Sequence, residues 1–267
     1  MIGAIFFIIG AMFGSLANVC IYRMPKNKSI VFNRSACPHC KKTIAWYYNI
    51  PIVSFLLLKG KSHCCKKKIN PQYLVVELLT AVLLYLNAVL FPVSQAILLN
   101  GITFFLIVIF YIDLKHKIIF DIFSYLLLAS GLLINFYPKL NPFSISVLNS
   151  FLSAMISMLF FLLIRYLFKK IKKKEGMGLG DTKLIAALSA WSGFESFLYI
   201  LTISSLIGIL YFLTVPKNKS EKKDIYIPYG SCLSFAFMIS EIFLIVVISR
   251  IDAILLISDF FVSNPYL

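Results

Sequence analysis

Asp181 ends the run Gly176-Met177-Gly178-Leu179-Gly180-Asp181 and, with Thr182 and Lys183, opens the apolar segment LIAALSAW. Glycine reaches backbone angles that other residues avoid, so three glycines in five residues let the chain turn sharply and let another segment approach closely. A carboxyl group at the mouth of an apolar run is costly, which makes it a functional candidate, although aspartate also caps helix starts well. A second acid, Asp113 in YIDLKHKIIFD, lies at the corresponding edge of another apolar run. Two carboxyls that share a site cannot both ionise cheaply, so one keeps a proton and the pair titrates as a unit. One can then act as base toward a water and the other as acid toward a carbonyl, which hydrolyses a peptide without a nucleophilic side chain. The three histidines, His39, His63 and His116, suggest no Ser/His or Cys/His alternative. Around the pair, Gly178, Gly180 and Lys183 read as loop-shaping. Asp121 reads as either a helix cap or an accessory acid. Glu77, inside an apolar run, needs a buried partner, and a structural hydrogen bond is its default role.

A second constellation is made of thiols. Cys37 and Cys40 in CPHC have the spacing at which two thiolates bind one metal from a tight turn, and Cys64 and Cys65 follow in the same basic loop. Four soft ligands from two knuckles suit tetrahedral zinc. On the reducing side of a membrane a structural disulfide is the weaker use. The second knuckle is irregular. Ser62 stands where a regular C-x2-C ending at Cys65 would need cysteine, so Cys64 is the expected fourth ligand, with His63 as its competitor. Cys20 and Cys232, isolated in apolar runs, read as small apolar side chains.

The elements that must position these groups are membrane helices. Of 267 residues 60% are hydrophobic and 14% charged, with mean hydropathy +0.89, as in a polytopic membrane protein. Eight apolar segments are expected at 2–22, 73–91, 96–112, 118–137, 144–168, 181–193, 196–215 and 229–249, with a further stretch, 251–263, at the surface. The fold class expected is therefore all-α, with about eight transmembrane helices and one cysteine-containing cytoplasmic loop domain. Its parts are a first helix (1–22), that loop (23–72) and a multi-helix membrane domain (73–267). The apolar piece 51–58 is too short to cross and reads as interfacial or re-entrant.

The net charge of +15 comes from 26 Lys and Arg against 11 Asp and Glu. If the first helix runs inward, the loops 23–72, 113–117, 165–183 and 217–224 carry 24 of those 26 basic residues, and only Lys139 and Arg250 fall on the other face. Basic residues collect in cytoplasmic loops, so this distribution orients the chain and puts Asp113 and Asp181 at the same, cytoplasmic boundary. It also sets nucleic-acid binding aside, because the positives are topological.

Taken in order, FGSLANVCIYRMP, CPHC, WYYNIPIVSFLLLKG, YLVVELLTA, YIDLKHKIIFD, GMGLGDTKLIAALSAW and IPYGSCLSF resemble one family, the bacterial type IV prepilin peptidases, or prepilin leader peptidases. The G-x-G-D element alone also looks like that of presenilin-type intramembrane proteases. The resemblance implies an aspartic protease of the cytoplasmic (inner) membrane that removes the basic leader from prepilin or pseudopilin precursors. Its catalytic pair falls on Asp113 and Asp181. It further implies methylation of the new N-terminal amine with S-adenosylmethionine. Three positions depart from the family pattern: Phe120 replaces a proline before Asp121, Tyr48 replaces an acid before Asn49-Ile50-Pro51, and Ser62 replaces a knuckle cysteine. A metal or cation transporter is the alternative from another class. It would also carry intramembrane acids, but near the midplane rather than at one boundary.

Overall fold

The computed structural model describes residues 2–32, 34–214 and 227–240; the expected surface stretch 251–263, the basic loop 217–224 and the end of the segment 229–249 lie outside the described residues. The described chain is helical, with only two isolated β-bridges. In order, the α-helices are α1 (Ile2–Arg23), α2 (Val53–Leu57), α3 (Gln72–Leu90), α4 (Val93–His116), α5 (Asp121–Ile134), α6 (Val147–Lys172), α7 (Leu179–Thr214) and α8 (Tyr229–Ser240). Five of them, α1, α3, α4, α6 and α7, are long and apolar enough to cross a membrane. The chain is a multi-pass membrane protein.

Lipid tails are as apolar as leucine, so close backbone packing rather than hydrophobicity must join membrane helices. Gly10 and Gly14 supply that contact on α1. A Cβ at Gly10 would stand 2.7 Å from the Ala81 Cα, and one at Gly14 would stand 2.6 Å from the Glu77 Cα. The two glycines are four residues apart, on one face, and seat α1 directly on the backbone of α3. Polar pairs add to the packing: Asn87 on α3 donates to Asn100 Oδ1 (3.0 Å) and Thr103 Oγ1 (3.2 Å) on α4.

Helix α4 ends at Lys117, whose left-handed backbone (φ 56°) lets its N–H cap the Asp113 carbonyl at 2.8 Å. Helix α5 is shorter than the expected 118–137, because Tyr137-Pro138 cannot continue it. At its far end Asn135 and Asn141 are both fully buried.

Helix α7 contains one non-helical residue, Gly193 (φ 74°, ψ 171°), and the chain reverses there. Ser204 and Gly208, beyond the break, lie against Tyr229 and against Ile227 and Cys232. Those residues flank Gly230, which touches Asp113, so the outer arm returns toward the end that holds Asp181. The two arms, 179–192 and 194–214, correspond to the expected segments 181–193 and 196–215. A broken helix frees carbonyls that lipid cannot satisfy. Here Ala190 O accepts from Ser150 Oγ (2.6 Å) and Asn135 Nδ2 (3.2 Å), and Trp191 O accepts from Asn141 Nδ2 (3.0 Å). The Trp191 indole in turn donates to Leu127 O at 2.8 Å, which ties the break to α5. The α1, α3, α4, α5, α6, α7 (two arms) and α8 segments thus follow the eight apolar runs of the sequence in order.

Candidate active site

Asp113 sits one turn before the end of α4, and Asp181 in the first turn of α7. The fold brings them together, close enough for Asp181 to feel the charge of Asp113. Asp113 is 4% exposed. Its Oδ2 accepts from the Ser231 backbone N–H at 2.7 Å, with the Ser231 hydroxyl at 3.0 Å. That hydroxyl also reaches Phe110 O at 2.8 Å, which fixes its position between α4 and α8. The Gly230 N–H faces both carboxyls, and the Gly178 N–H faces Asp181. The first-turn amides of a helix have no partner within it, so the start of α8 is a ready donor to carboxylate oxygen.

The glycines around the pair are explained by what they touch. A Cβ on Gly178 would lie 3.1 Å from Asp181 Oδ2, and one on Gly230 would lie 3.1 Å from Asp113 Oδ2. Ile119, on the link between α4 and α5, fills the space against the other two faces. Its side chain would meet a Cβ on Gly180 at 3.0 Å and one on Gly230 at 2.5 Å. One isoleucine therefore locks the α4–α5 link against both helix starts that carry the site.

The accessory residues lie outside this centre. Phe120, not Asp121, occupies the cap position of α5. Asp121 Oδ2 instead pairs with Lys183 Nζ at 2.7 Å, which joins the starts of α5 and α7 at the rim. Glu77 Oε2 accepts from the Ile52 N–H at 2.7 Å. That bond holds a tight turn in which Ile52 has φ 62°, a costly angle for a β-branched residue. Gly230 and Ser231 carried no role in the sequence reading. They lie in IPYGSCLSF, a segment of the family resemblance, and the local signal there, Pro228 ahead of an apolar run, marks a helix start and nothing more.

The four cysteines Cys37, Cys40, Cys64 and Cys65 converge, with all four sulfurs within 4.8 Å of one another, and can hold a metal ion. The two knuckles are matched turns. Lys41 N–H bonds Cys37 O and Cys37 N–H bonds Lys42 O; Lys66 N–H bonds Ser62 O and Ser62 N–H bonds Lys67 O. Ser62 thus occupies in the second turn the place of Cys37 in the first. Its hydroxyl lies 3.3 Å from Cys37 Sγ and 3.1 Å from Cys64 Sγ. His63 is turned away, stacked on Tyr48 with ring centroids 3.9 Å apart. Burial works against the Cys37 thiolate, but the N–H groups of Cys40 and His39 and the Ser62 hydroxyl favour it and bring its thiol down to about 5. Its neighbour Cys40, hydrogen-bonded to Cys64, is pushed up to about 11.

Beside the knuckles lies a cavity of about 600 Å³ lined by Arg23, Arg34, Tyr48, Asn49 and Glu77 among others. It shares Asn18, Tyr22, His39, Phe55 and Tyr73 with a second cavity, which reaches Lys115 and His116 at the end of the helix that carries Asp113. The basic segments 23–72 and 113–117 therefore meet at one end of the bundle, and Asp181, in the segment 165–183, lies beside Asp113 at that end.

Two family profiles match this chain. Residues 8–91 match the bacterial Peptidase A24 N-terminal domain, and residues 100–213 match the type IV leader peptidase family. A prepilin leader peptidase/N-methyltransferase of Klebsiella pneumoniae is 34% identical over 76% of this chain and 90% of its own length. A type 4 prepilin-like proteins leader peptide-processing enzyme of Escherichia coli O78:H11 is 31% identical over 84% and 88%. A prepilin leader peptidase/N-methyltransferase of Vibrio cholerae is 30% identical over 88% and 94%. No solved structure matches significantly. With relatives this similar along most of both chains, this polytopic protein belongs to the type IV leader peptidase family.

Proposed function

We propose that Asp113 and Asp181 are the catalytic pair of an aspartic endopeptidase that removes the basic leader from prepilin or pseudopilin precursors. The observation that carries this reading is the convergence of the two acids on the start of α8, at the end of the bundle where the basic segments meet. Because 24 of the 26 basic residues fall on loops at one face, that end is cytoplasmic and the membrane is the inner one. Ser231 holds Asp113 Oδ2 through its N–H and its hydroxyl, and we assign Asp113 as the base and Asp181 as the acid. Asp113 takes a proton from a water as its oxygen attacks the scissile carbonyl, and Asp181 protonates the carbonyl oxygen. Collapse of the tetrahedral species returns a proton to the leaving amine and frees the new N-terminus. The scissile bond must lie at the cytoplasmic edge of the substrate's apolar helix, as it does between a basic leader and a pilin helix.

The relatives named N-methyltransferases suggest a second reaction at that amine. S-adenosylmethionine would supply an electrophilic methyl group. The 600 Å³ cavity fits such a molecule, with Arg23, Arg34 and Glu77 offering both signs of charge to its amino-acid tail and Tyr48 a face for its adenine. The second cavity, which shares walls with this one, brings the pocket near the α4 end at which the amine would be freed. When purified protein is mixed with a prepilin and the methyl donor, mass spectrometry should show loss of the leader and a gain of one methyl group at the new N-terminus. No cleavage would refute the peptidase; cleavage without methyl gain would refute only the transferase.

The knuckles are proposed to hold one structural zinc. Sulfurs on a tetrahedron with ~2.3 Å bonds stand about 3.8 Å apart, and Cys37 and Cys65 already stand 3.7 Å apart. Segment 23–72 has little apolar core of its own, so the metal would supply much of its order. Purified wild-type protein should contain about one equivalent of zinc. Cys64→Ser should weaken binding more than His63→Ala, given the stacked position of His63. Zinc below about a tenth of an equivalent, after purification without chelator, would mean another use for these thiols.

A further inference from the structure

Helix α2 exposes apolar residues that the peptidase and knuckle chemistry leave unused. Val53, Leu56 and Leu57, spaced i, i+3 and i+4, share one face of its single turn and are all exposed, Leu57 at 77%. The opposite face is occupied: Ser54 is buried and donates to Tyr47 O at 3.1 Å, and Phe55 packs on Gly60. The turn that precedes it, Trp46–Asn49, is packed against α2 and adds Trp46 (79% exposed) and Tyr47, with Ile50 beside them.

Depth and charge together say what covers this patch. Ile52, the residue before α2, is bonded by Glu77, the sixth residue of α3, a membrane-spanning helix. Five steps along a helix are about 8 Å, so the start of α2 lies level with the first turns of a transmembrane helix rather than out in water. Segment 23–72 holds eleven Lys and Arg and no Asp or Glu. Lys59, Lys61, Lys66, Lys67 and Lys68, all exposed, follow α2 directly. Apolar and aromatic residues at headgroup depth, ringed by cations, complement an anionic lipid surface.

We propose that α2 and the Trp46–Asn49 turn form a foot that inserts into the anionic headgroup layer beside the bundle and holds the knuckle segment against the membrane. The Glu77–Ile52 bond fixes its height, and the lysines contact lipid phosphates. The leaflet involved rests on the orientation proposed above, whereas the contact with lipid does not.

The chain has two tryptophans, Trp46 and the buried Trp191, so fluorescence isolates the foot. Wild type and Trp46→Phe would be reconstituted in nanodiscs, which expose both leaflets, with lipids brominated near the headgroup. The difference between the two proteins reports Trp46 alone. Phosphatidylglycerol discs should quench about half or more of that signal, and phosphatidylcholine discs less. Aqueous iodide should quench little of it. A Leu56→Ser/Leu57→Ser double variant that still cleaves prepilin should lose most of the lipid quenching. Trp46 quenched by iodide and untouched by brominated lipid would overturn the foot while leaving the peptidase reading intact. Shielding from iodide that appears only when prepilin is added would also overturn it, and would assign the patch to substrate.

Discussion

Asp113→Asn and Asp181→Asn are each expected to lower leader cleavage by on the order of 10^4-fold, because members of a catalytic unit do not work singly. Asparagine keeps the shape of the side chain but cannot take or give the proton that hydrolysis needs. At position 113 the amide oxygen can still accept from the Ser231 N–H, so the join between α4 and α8 should persist. Fold retention can therefore be read separately, from zinc content and from the melting temperature of the detergent-solubilised protein. Loss of cleavage with both unchanged is the expected result. A variant that still processes a substantial fraction of prepilin would remove that aspartate from the chemistry.

Gly230→Val should be the next most damaging change, although it leaves both carboxyls in place. Its Cβ would stand 2.5 Å from Ile119 Cδ1 and 3.1 Å from Asp113 Oδ2, so either the α4–α5 link or the start of α8 must move. A displacement of about 1 Å in a catalytic group costs on the order of 10²-fold in rate. Ser231→Ala keeps the backbone N–H donor and loses only the hydroxyl, so its effect should be clearly smaller. Single-turnover cleavage of a prepilin distinguishes the cases. Equal rates for Gly230→Val and wild type would show that the contact with Ile119 does not position the dyad.

The acids were legible because burial makes a carboxyl in an apolar run conspicuous, and the basic loops placed both on one face. Their donors were not. Ser231 stands 118 residues after Asp113, and nothing local in Pro228-Tyr229-Gly230-Ser231 says which helix its free amides will meet. The knuckles show the same division. Spacing picked out the four cysteines and preferred Cys64 to His63, but the stack of His63 on Tyr48, which supports that preference, is a contact between turns that spacing does not encode. Asn135 and Asn141 carried no role in the sequence reading. Their burial makes sense only once Gly193 releases carbonyls more than 45 residues later. Hydropathy did separate the two arms of α7, because one glycine in an apolar run leaves the lengths of both segments readable.

The reversal at Gly193 also has a meaning for the bilayer. Helix α5 and the inner arm of α7 have fourteen residues each, Asp121–Ile134 and 179–192. At 1.5 Å per residue each is about 21 Å long, well under a hydrocarbon thickness of ~30 Å. The inner arm of α7 is buried in the core, whereas α5 exposes Ile122, Tyr125, Leu126 and Leu133, so α5 is the short helix that meets lipid, and lipid there must thin to meet it. The cost is a fraction of a kcal/mol per ångström, and it rises as acyl chains lengthen. Bilayer thickness thereby acts on α5, whose Asp121 is paired with Lys183 two residues beyond Asp181, and a thin membrane is the one in which this corner of the enzyme rests without strain.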